Sequence, residues 1–485
     1  MKKKLFNLTA ALTLMVMALS STVFADDSQL LDLVKGMENQ MKQMQKTIND
    51  QNSKIQRLET RPAASSASEN FSSTPIAAAP MSDYEFNQRL DAATGGAQKW
   101  LKDLTFKGDM RLRYEAFSAS SGNPASSQPR NRFRFRLRYG FEKKFSDEML
   151  VGFSMASGDS LQTNGLNGDP TSTNATLSNN FNFKNIFIEK AYATYMPNWA
   201  KVGPIKKLTI TGGKFDNPFE KGASDMVWDR DVKPEGIIEK VDFGIIPEGD
   251  FTASGWLTGG QMPTKENAAS SSNNSDATLF AEQVGLNALL YLPELDRPLD
   301  YTTAVSFYNW NHYAKNNNFL IGAGSLARGN SNVTGNANSL DAGDFKVIEF
   351  YNELAFYPFG LPVRPYADFA HNMGAQNVDG STGTHQNSAW SMGMKLGGIV
   401  KKGDWEALYQ YKYIEANALP GFNDSDFGYA GHSGHAGNVF KLGYGITDTM
   451  TLNLAAYLVR NLNADTNGIV DQQEKRFQTD LVWKF

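Results

Sequence analysis

From Leu104 onward the chain repeats one pattern: apolar and polar residues alternate with a period of two, and then a break rich in Gly, Asn, Asp, Ser or Pro intervenes. The first segment sets Phe106, Met110, Leu112 and Tyr114 against Lys107, Asp109, Arg111, Arg113 and Glu115. The second sets Phe133, Phe135, Leu137, Tyr139 and Phe141 against Arg132, Arg134, Arg136 and Arg138. The last sets Phe477, Thr479, Leu481, Trp483 and Phe485 against Arg476, Gln478, Asp480, Val482 and Lys484. Successive side chains of a strand point to opposite faces, so each segment predicts a two-sided strand. Segments 186–195 and 405–416 carry mixed aromatic and charged residues and are left without an assigned face.

The breaks alternate in length. Short turns are expected at Ser146-Asp147-Glu148, Pro197 to Lys206, Pro247-Glu248-Gly249-Asp250, Pro293 to Pro298, Pro358 to Pro362, Lys402-Gly403-Asp404 and Thr447-Asp448. Long loops are expected near 118–130, 158–183, 216–232, 262–277, 313–343, 374–386, 417–436 and 463–473. Seven turns and eight loops predict sixteen strands, with both ends of the series on the short-turn side. Even strand number, short turns at one end and long loops at the other characterise a transmembrane β-barrel. Tyr195, Trp199, Tyr291, Tyr357, Phe359, Trp405 and Phe485 gather beside the short turns, as an interfacial aromatic girdle does. A soluble sandwich would not repeat such long alternating spans. The expected fold is all-β: a transmembrane antiparallel barrel of about sixteen strands over 104–485.

Composition does not oppose this. The chain is 41% apolar and 20% charged, with no mature apolar run long enough for a spanning helix, but only alternate barrel residues face lipid. Residues 1–25 read as a secretory signal, with Lys2, Lys3 and Lys4, an apolar core from Leu8 to Leu19, and Val23-Phe24-Ala25 at the cleavage site. Its removal takes three lysines and no acid, lowering the formal charge from −4 to −7, a balance that argues against nucleic-acid partners. Leu30, Val34, Met37, Met41, Met44, Ile48, Ile55 and Leu58 alternate steps of four and three, with Gln51 the polar seam position. That heptad seam predicts an α-helical coiled coil within 26–60, three-stranded by its β-branched content; a single amphipathic helix on another surface is the alternative. An Ala/Ser/Pro linker follows over 61–80. Ser82 and Glu85 form a capping box opening a short helix in the lead-in 81–103.

The terminal strand, with Trp483 and Phe485 at its tip, resembles the final strand of Gram-negative outer-membrane barrels, whose C-terminal Phe is read by the barrel-assembly machinery. Across 104–485 the chain resembles the sixteen-stranded trimeric porins, and it is closer in layout to porins that carry a leading coiled coil. The resemblance implies an outer-membrane homotrimer passing small hydrophilic solutes through a water-filled channel, with lipid and lipopolysaccharide around it and the coiled coil in the periplasm. It also implies a third external loop folded into the barrel, whose acids here are Glu220, Asp225, Asp229 and Asp231, set against basic wall residues. A selective channel for anions such as phosphate or organic acids is the near alternative. A structural envelope protein anchored by its barrel is the distant one.

Candidate chemistry narrows the reading further. The chain contains no Cys, which removes disulfides and thiolate chemistry. His312, His371, His385, His432 and His435 fall in or near loops without a nucleophile-base grouping at strand spacing, so no enzyme is expected; His432 and His435 could pinch a metal, but without a third ligand they read as solvated loop imidazoles. Asn463, Asp465, Asn467, Asp471 and Glu474, with Gly468, match oxygen positions of a calcium loop; without flanking helices, a polar loop mimicking the pattern is the weightier reading, and no other cofactor is implied. Arg111, Arg113, Arg132, Arg134, Arg136 and Arg138 share one parity, and arginine facing mid-membrane lipid costs about 2–4 kcal/mol, so they are expected in the lumen. There they would form a structural cluster with Asp109, Glu115 and Glu142, the basic side of a constriction, or both.

The seam gives a first prediction. The isolated segment 28–60 is expected to self-associate in sedimentation, and Met41→Asp with Ile48→Asp to weaken that association; a monomer at high concentration would contradict the heptad reading.

Overall fold

The computed structural model describes residues 103–119, 129–159, 168–178, 180–266, 276–313, 332–333, 336–340, 345–375, 385–428, 432–462 and 473–485. The expected signal segment, coiled coil, linker and all of the lead-in but Asp103 lie outside the described residues.

Sixteen strands form the wall: β1 (Leu104–Ala119), β2 (Arg130–Lys144), β3 (Met149–Gly158), β4 (Asn185–Tyr195), β5 (Ile205–Lys214), β6 (Glu235–Ile246), β7 (Phe251–Lys265) and β8 (Ala277–Leu290), then β9 (Leu299–Asn311), β10 (Lys346–Ala355), β11 (Val363–Asn372), β12 (Ser388–Gly397), β13 (Trp405–Ile414), β14 (His435–Gly445), β15 (Met450–Asn461) and β16 (Gln473–Lys484). Each pairs antiparallel with its sequence neighbours, and β16 returns to β1 in register from Asp109↔Lys484 to Ala119↔Glu474. The sheet is therefore a closed barrel with no free edge, which a strand structure in hydrocarbon requires because no water is present to satisfy an unpaired edge.

The two parities separate inside from outside. Phe106 is 70% exposed and Leu112 42%, whereas Arg113 is 7% exposed and Glu115 is fully buried, so the arginine parity points inward. The two segments left unassigned also resolve. In β13, Trp405 and Tyr409 are exposed while Gln410, Lys412 and Ile414 are fully buried, so the aromatics share the outer face and alternation is clean. In β4, a register shift opposite Ser154/Met155 switches the alternation partway along, and both parities therefore carry outward residues.

The short-turn end carries the expected rings: Tyr195, Trp199, Tyr291, Phe359, Trp405 and Phe485 are all exposed there. Turn chemistry matches the sequence. Asp404 Oδ2 accepts the Val400 and Lys401 amides at 3.0 and 2.9 Å, and Asp448 Oδ1 accepts the Lys402 amide of the adjacent turn at 2.8 Å.

At the seam Gly108 donates to the Phe485 carbonyl at 2.8 Å and accepts from the Phe485 amide at 3.1 Å. The Phe485 ring lies over Gly108, where a Cβ would come within 2.5 Å of the ring. Gly108→Leu is accordingly expected to displace the ring, open the end of the seam and lower the fraction of heat-modifiable folded barrel on gels severalfold, as deletion of Phe485 should. Wild-type folded levels in both variants would contradict this.

Candidate functional site

The third long loop leaves the wall between β5 and β6 through two paired glycines. Gly213 and Gly236 are partners in register with φ of 118° and 141°, and a Cβ on either would lie 2.3 or 2.1 Å from a neighbouring carbonyl oxygen. Only glycine adopts such backbone without strain. The loop turns inward at once, with Asn217 Oδ1 accepting the Phe219 amide at 3.0 Å and Phe219 fully buried.

The loop then crosses the lumen and is fastened at both sides. Against β9 and β10, Lys221 Nζ reaches Ser306 Oγ at 3.0 Å and Glu349 at 2.9 Å. Against β11, Ser224 donates to Asp368. Against β13 and β14, Asp225 accepts from Gln410 at 3.0 Å, Lys412 at 3.0 Å and Lys441 at 2.8 Å. Trp228 packs on Tyr308 and Trp310 with ring centroids 5.5 and 5.9 Å apart. At the other wall Asp231 accepts from the Thr173 amide and hydroxyl, both at 3.1 Å, and lies 3.9 Å from Arg136 and 3.7 Å from Arg138.

Two further segments join it. The stretch between β13 and β14, expected as an external loop, also folds inward: Phe422 stacks on Trp310 at 5.3 Å, Asp424 pairs with Lys412, and Asp426 bridges Arg113 at 3.1 Å and Arg476 at 2.8 Å. Phe427 lies 4.4 Å from Lys412 Nζ, a cation–π contact on a fully buried lysine. The second loop contributes 168–178, where the Thr171 carbonyl accepts from Ser425 Oγ at 3.0 Å. Ser425 N in turn donates to Asp229 Oδ2 at 3.0 Å, so three loops meet at one point.

The loop carboxyls diverge accordingly. Burial works against the charged form of Asp225, but Lys412 and Lys441 outweigh it and hold the carboxyl well below the ordinary value. Asp229 is pushed well above it by burial and by the neighbouring Asp231 and Asp424 carboxylates.

The six wall arginines divide. Arg111 contacts Asn174 and Asp480, Arg113 is bidentate on Asp480, Arg132 pairs with Glu115 at 2.7 Å, and Arg134 donates to the Asn174 carbonyl at 3.2 Å. Arg136 and Arg138 share Asp109, each at 2.7 Å, and they line a cavity of about 580 Å³ at the short-turn side of the loop. A second cavity, of about 540 Å³, lies at the long-loop side. Of the four loop acids expected to face the arginines, Asp231 alone does so. Asp225 faces lysines on the opposite wall, Asp229 accepts amides of Asp231 and Ser425, and Glu220 has a buried oxygen without a hydrogen-bond partner.

His432 and His435 are not solvated: both are buried, bonded to the Asn423 and Ser433 carbonyls at 2.7 and 2.6 Å. Of the expected calcium ligands, Asn463, Asp465, Asn467 and Asp471 lie outside the described residues. Glu474 is on β16, buried against Arg476 at 3.0 Å, and no metal-holding group of three His, Asp or Glu occurs among the described residues.

Sequence reasoning missed Lys412, Lys441, Asp424, Asp426 and Glu189. The available signals were the alternation of β13, which turns Gln410 and Lys412 inward, and the apolar residues Leu419, Phe422 and Phe427 inside an otherwise polar loop.

The model of the family described as "Putative porin" (Porin_5) matches residues 123–338 and 342–485. The chain belongs to this porin family. It is an outer-membrane β-barrel channel protein, not an enzyme. Among solved structures the chain is similar to OprB of Pseudomonas putida at high pH, with 12% identity over 81% of this chain and 97% of that one and a TM-score of 0.47. It is also similar to the outer-membrane channel DcaP of Acinetobacter baumannii, with 11% identity, 79% and 97% coverage and a TM-score of 0.39. OmpF of Salmonella typhi in complex with daunomycin shows 10% identity, 79% and 97% coverage and a TM-score of 0.41. No curated protein sequence matches the chain.

Lys412→Met would leave Asp225 and Asp424 without the buried cation between them, and removing one partner of a buried pair costs about 3–5 kcal/mol. The third and seventh loops are expected to loosen together, giving larger and noisier single-channel currents in planar bilayers than wild type. An unchanged current would show that Lys412 does not hold them.

Proposed function

We propose that the chain is a porin for passive diffusion of small hydrophilic solutes across the Gram-negative outer membrane. It works as a homotrimer, joined by a coiled coil at 26–60 on the periplasmic side, and Trp483 and Phe485 serve as its assembly signal. The observation that carries this reading is the third loop. Pinned at Asp225 to one wall and at Asp231 to the other, it narrows the barrel without filling it, leaving a cavity on each side. A barrel serving only as an anchor would need no such polar interior.

Anion preference is the second reading, favoured by the periplasmic cavity. Lys107, Arg136, Arg138, Lys190, Arg230, Lys233 and Lys484 line it, against the side-chain carboxylates of Asp109, Glu142, Glu189 and Asp216. An excess of one charge sign in a confined aqueous space concentrates the opposite ion.

Conductance and reversal potential in a planar bilayer test both readings. Arg136→Glu with Arg138→Glu is expected to move the reversal potential toward cations at low salt and little at high salt, because the Debye length shortens from about 30 Å at 0.01 M to about 3 Å at 1 M. A silent wild-type protein would contradict the porin reading. An ohmic channel with no shift in the double variant would remove the anion preference and leave the porin.

A further inference from the structure

Among the described residues the interior is filled most closely on one side. Along β9 to β13, the inward residues Ser306, Glu349, Asp368, Gln410 and Lys412 are all fully buried beneath the third and seventh loops, and Ala304 and Tyr308 are nearly so. The contacting rings of Trp228, Tyr308, Trp310 and Phe422 border that filled region, and Trp228, Trp310 and Phe422 also form the edge of the external cavity. The upper arginines are closed off as well: Arg111, Arg113, Arg132 and Arg134 are taken up by Asn174, Asp426, Asp480 and Glu115, and none of the four lines either cavity. Among the described residues two cavities remain: the external one is bordered by β3 to β9 and the periplasmic one by β1 to β4 and β16, and the two meet on the β3–β4 side, where both are lined by Glu189 of β4 and Lys233 of the third loop.

We infer that the permeation path is eccentric, running down the β3–β4 side, and that Glu189 and Lys233 form its waist and select the solute. The inference rests on the porin reading and deepens it. Both groups are held in place. Glu189 accepts from Ser154 Oγ at 2.9 Å and lies 3.5 Å from Arg138; Lys233 donates to the Arg230 carbonyl at 2.8 Å and pairs with Asp216 at 3.1 Å. A passing solute therefore meets a carboxylate on the wall and an ammonium on the loop, with Arg136, Arg138 and Arg230 on the periplasmic side of them. On the external side Phe187, Trp228 and Phe422 give the vestibule an apolar flank. That sequence fits a small organic anion, a carboxylate on a short apolar body: the body is sheltered by the rings while the carboxylate passes to Lys233 and then to the arginines, and Glu189 disfavours a second negative charge.

The native chain has no Cys, so single substitutions report accessibility directly. Glu189→Cys, Lys233→Cys and, on the filled side, Ala304→Cys are reconstituted in planar bilayers and treated with an anionic methanethiosulfonate. Modification at 189 and at 233 is expected to cut the current by about half or more, since it adds bulk and negative charge at a narrow point, with no change at 304. Lys233→Gln, of similar length, supplies a second reading: reversal potential should shift toward cations, and block of chloride current by millimolar benzoate should weaken severalfold. If wild type conducts but neither 189 nor 233 responds, the waist is wrong, whatever residue 304 does. If 304 responds in their place, the path runs on the other side. A wild-type protein that does not conduct overturns the porin reading itself, which is a separate failure.

Discussion

Lys412 is the charge on which the interior depends. A barrel of sixteen strands is too wide for its wall side chains to fill, and here the third and seventh loops occupy part of the lumen and bring carboxylates with them. A buried carboxylate is tolerated only when paired and hydrogen-bonded. Lys412 is fully buried, reaches Asp225 of the third loop and Asp424 of the seventh, and lies against the Phe427 ring. One wall lysine thus fixes two loops that are far apart in sequence, and Lys441 shares the load at Asp225.

The same requirement explains the arginine ladder of β1 and β2. Like charges on adjacent strands repel, and here each is offset by a wall or loop acid: Asp109, Glu115, Asp480, or Asp426 from the seventh loop. The ladder is a structural cluster toward the loop end and a cavity lining at Arg136 and Arg138. Glu142, expected in the same cluster, instead accepts from Lys107 and from the Tyr192 hydroxyl. Across the lumen the polarity also departs from the expected arrangement of loop acids against wall bases. Asp225 faces wall lysines and Asp231 wall arginines as that arrangement requires, while Glu189 places an acid on the wall and Lys233 a base on the loop.

What lipid dictates was legible in the sequence, because the bilayer enforces the period of two on almost every strand. The inward arginines of β1 and β2, the strand count and the turn-side rings follow from that single constraint. β4 was obscure because one register shift changes which residues face out, and alternation cannot survive it. Asp225 with Lys412, separated by 187 residues, leaves no local trace. The segment 417–436 reads as a solvated loop because its polar residues dominate by number; the burial of His432, His435 and Phe427 depends on partners that periodicity does not name. Gly213 and Gly236 stand where the third loop leaves the sheet, yet their significance appears only when they are seen to be paired.

The central claim is that the third and seventh loops lie inside the barrel and against each other. The Asp229 amide donates to the Phe422 carbonyl at 2.7 Å, which brings the two backbones within disulfide reach. In the naturally cysteine-free chain, Asp229→Cys with Phe422→Cys, oxidised mildly in intact outer membranes, should form an intramolecular disulfide that shifts mobility on a non-reducing gel and disappears on reduction. Two free thiols, both labelled by a membrane-impermeant maleimide in the folded barrel with no crosslink, would contradict it.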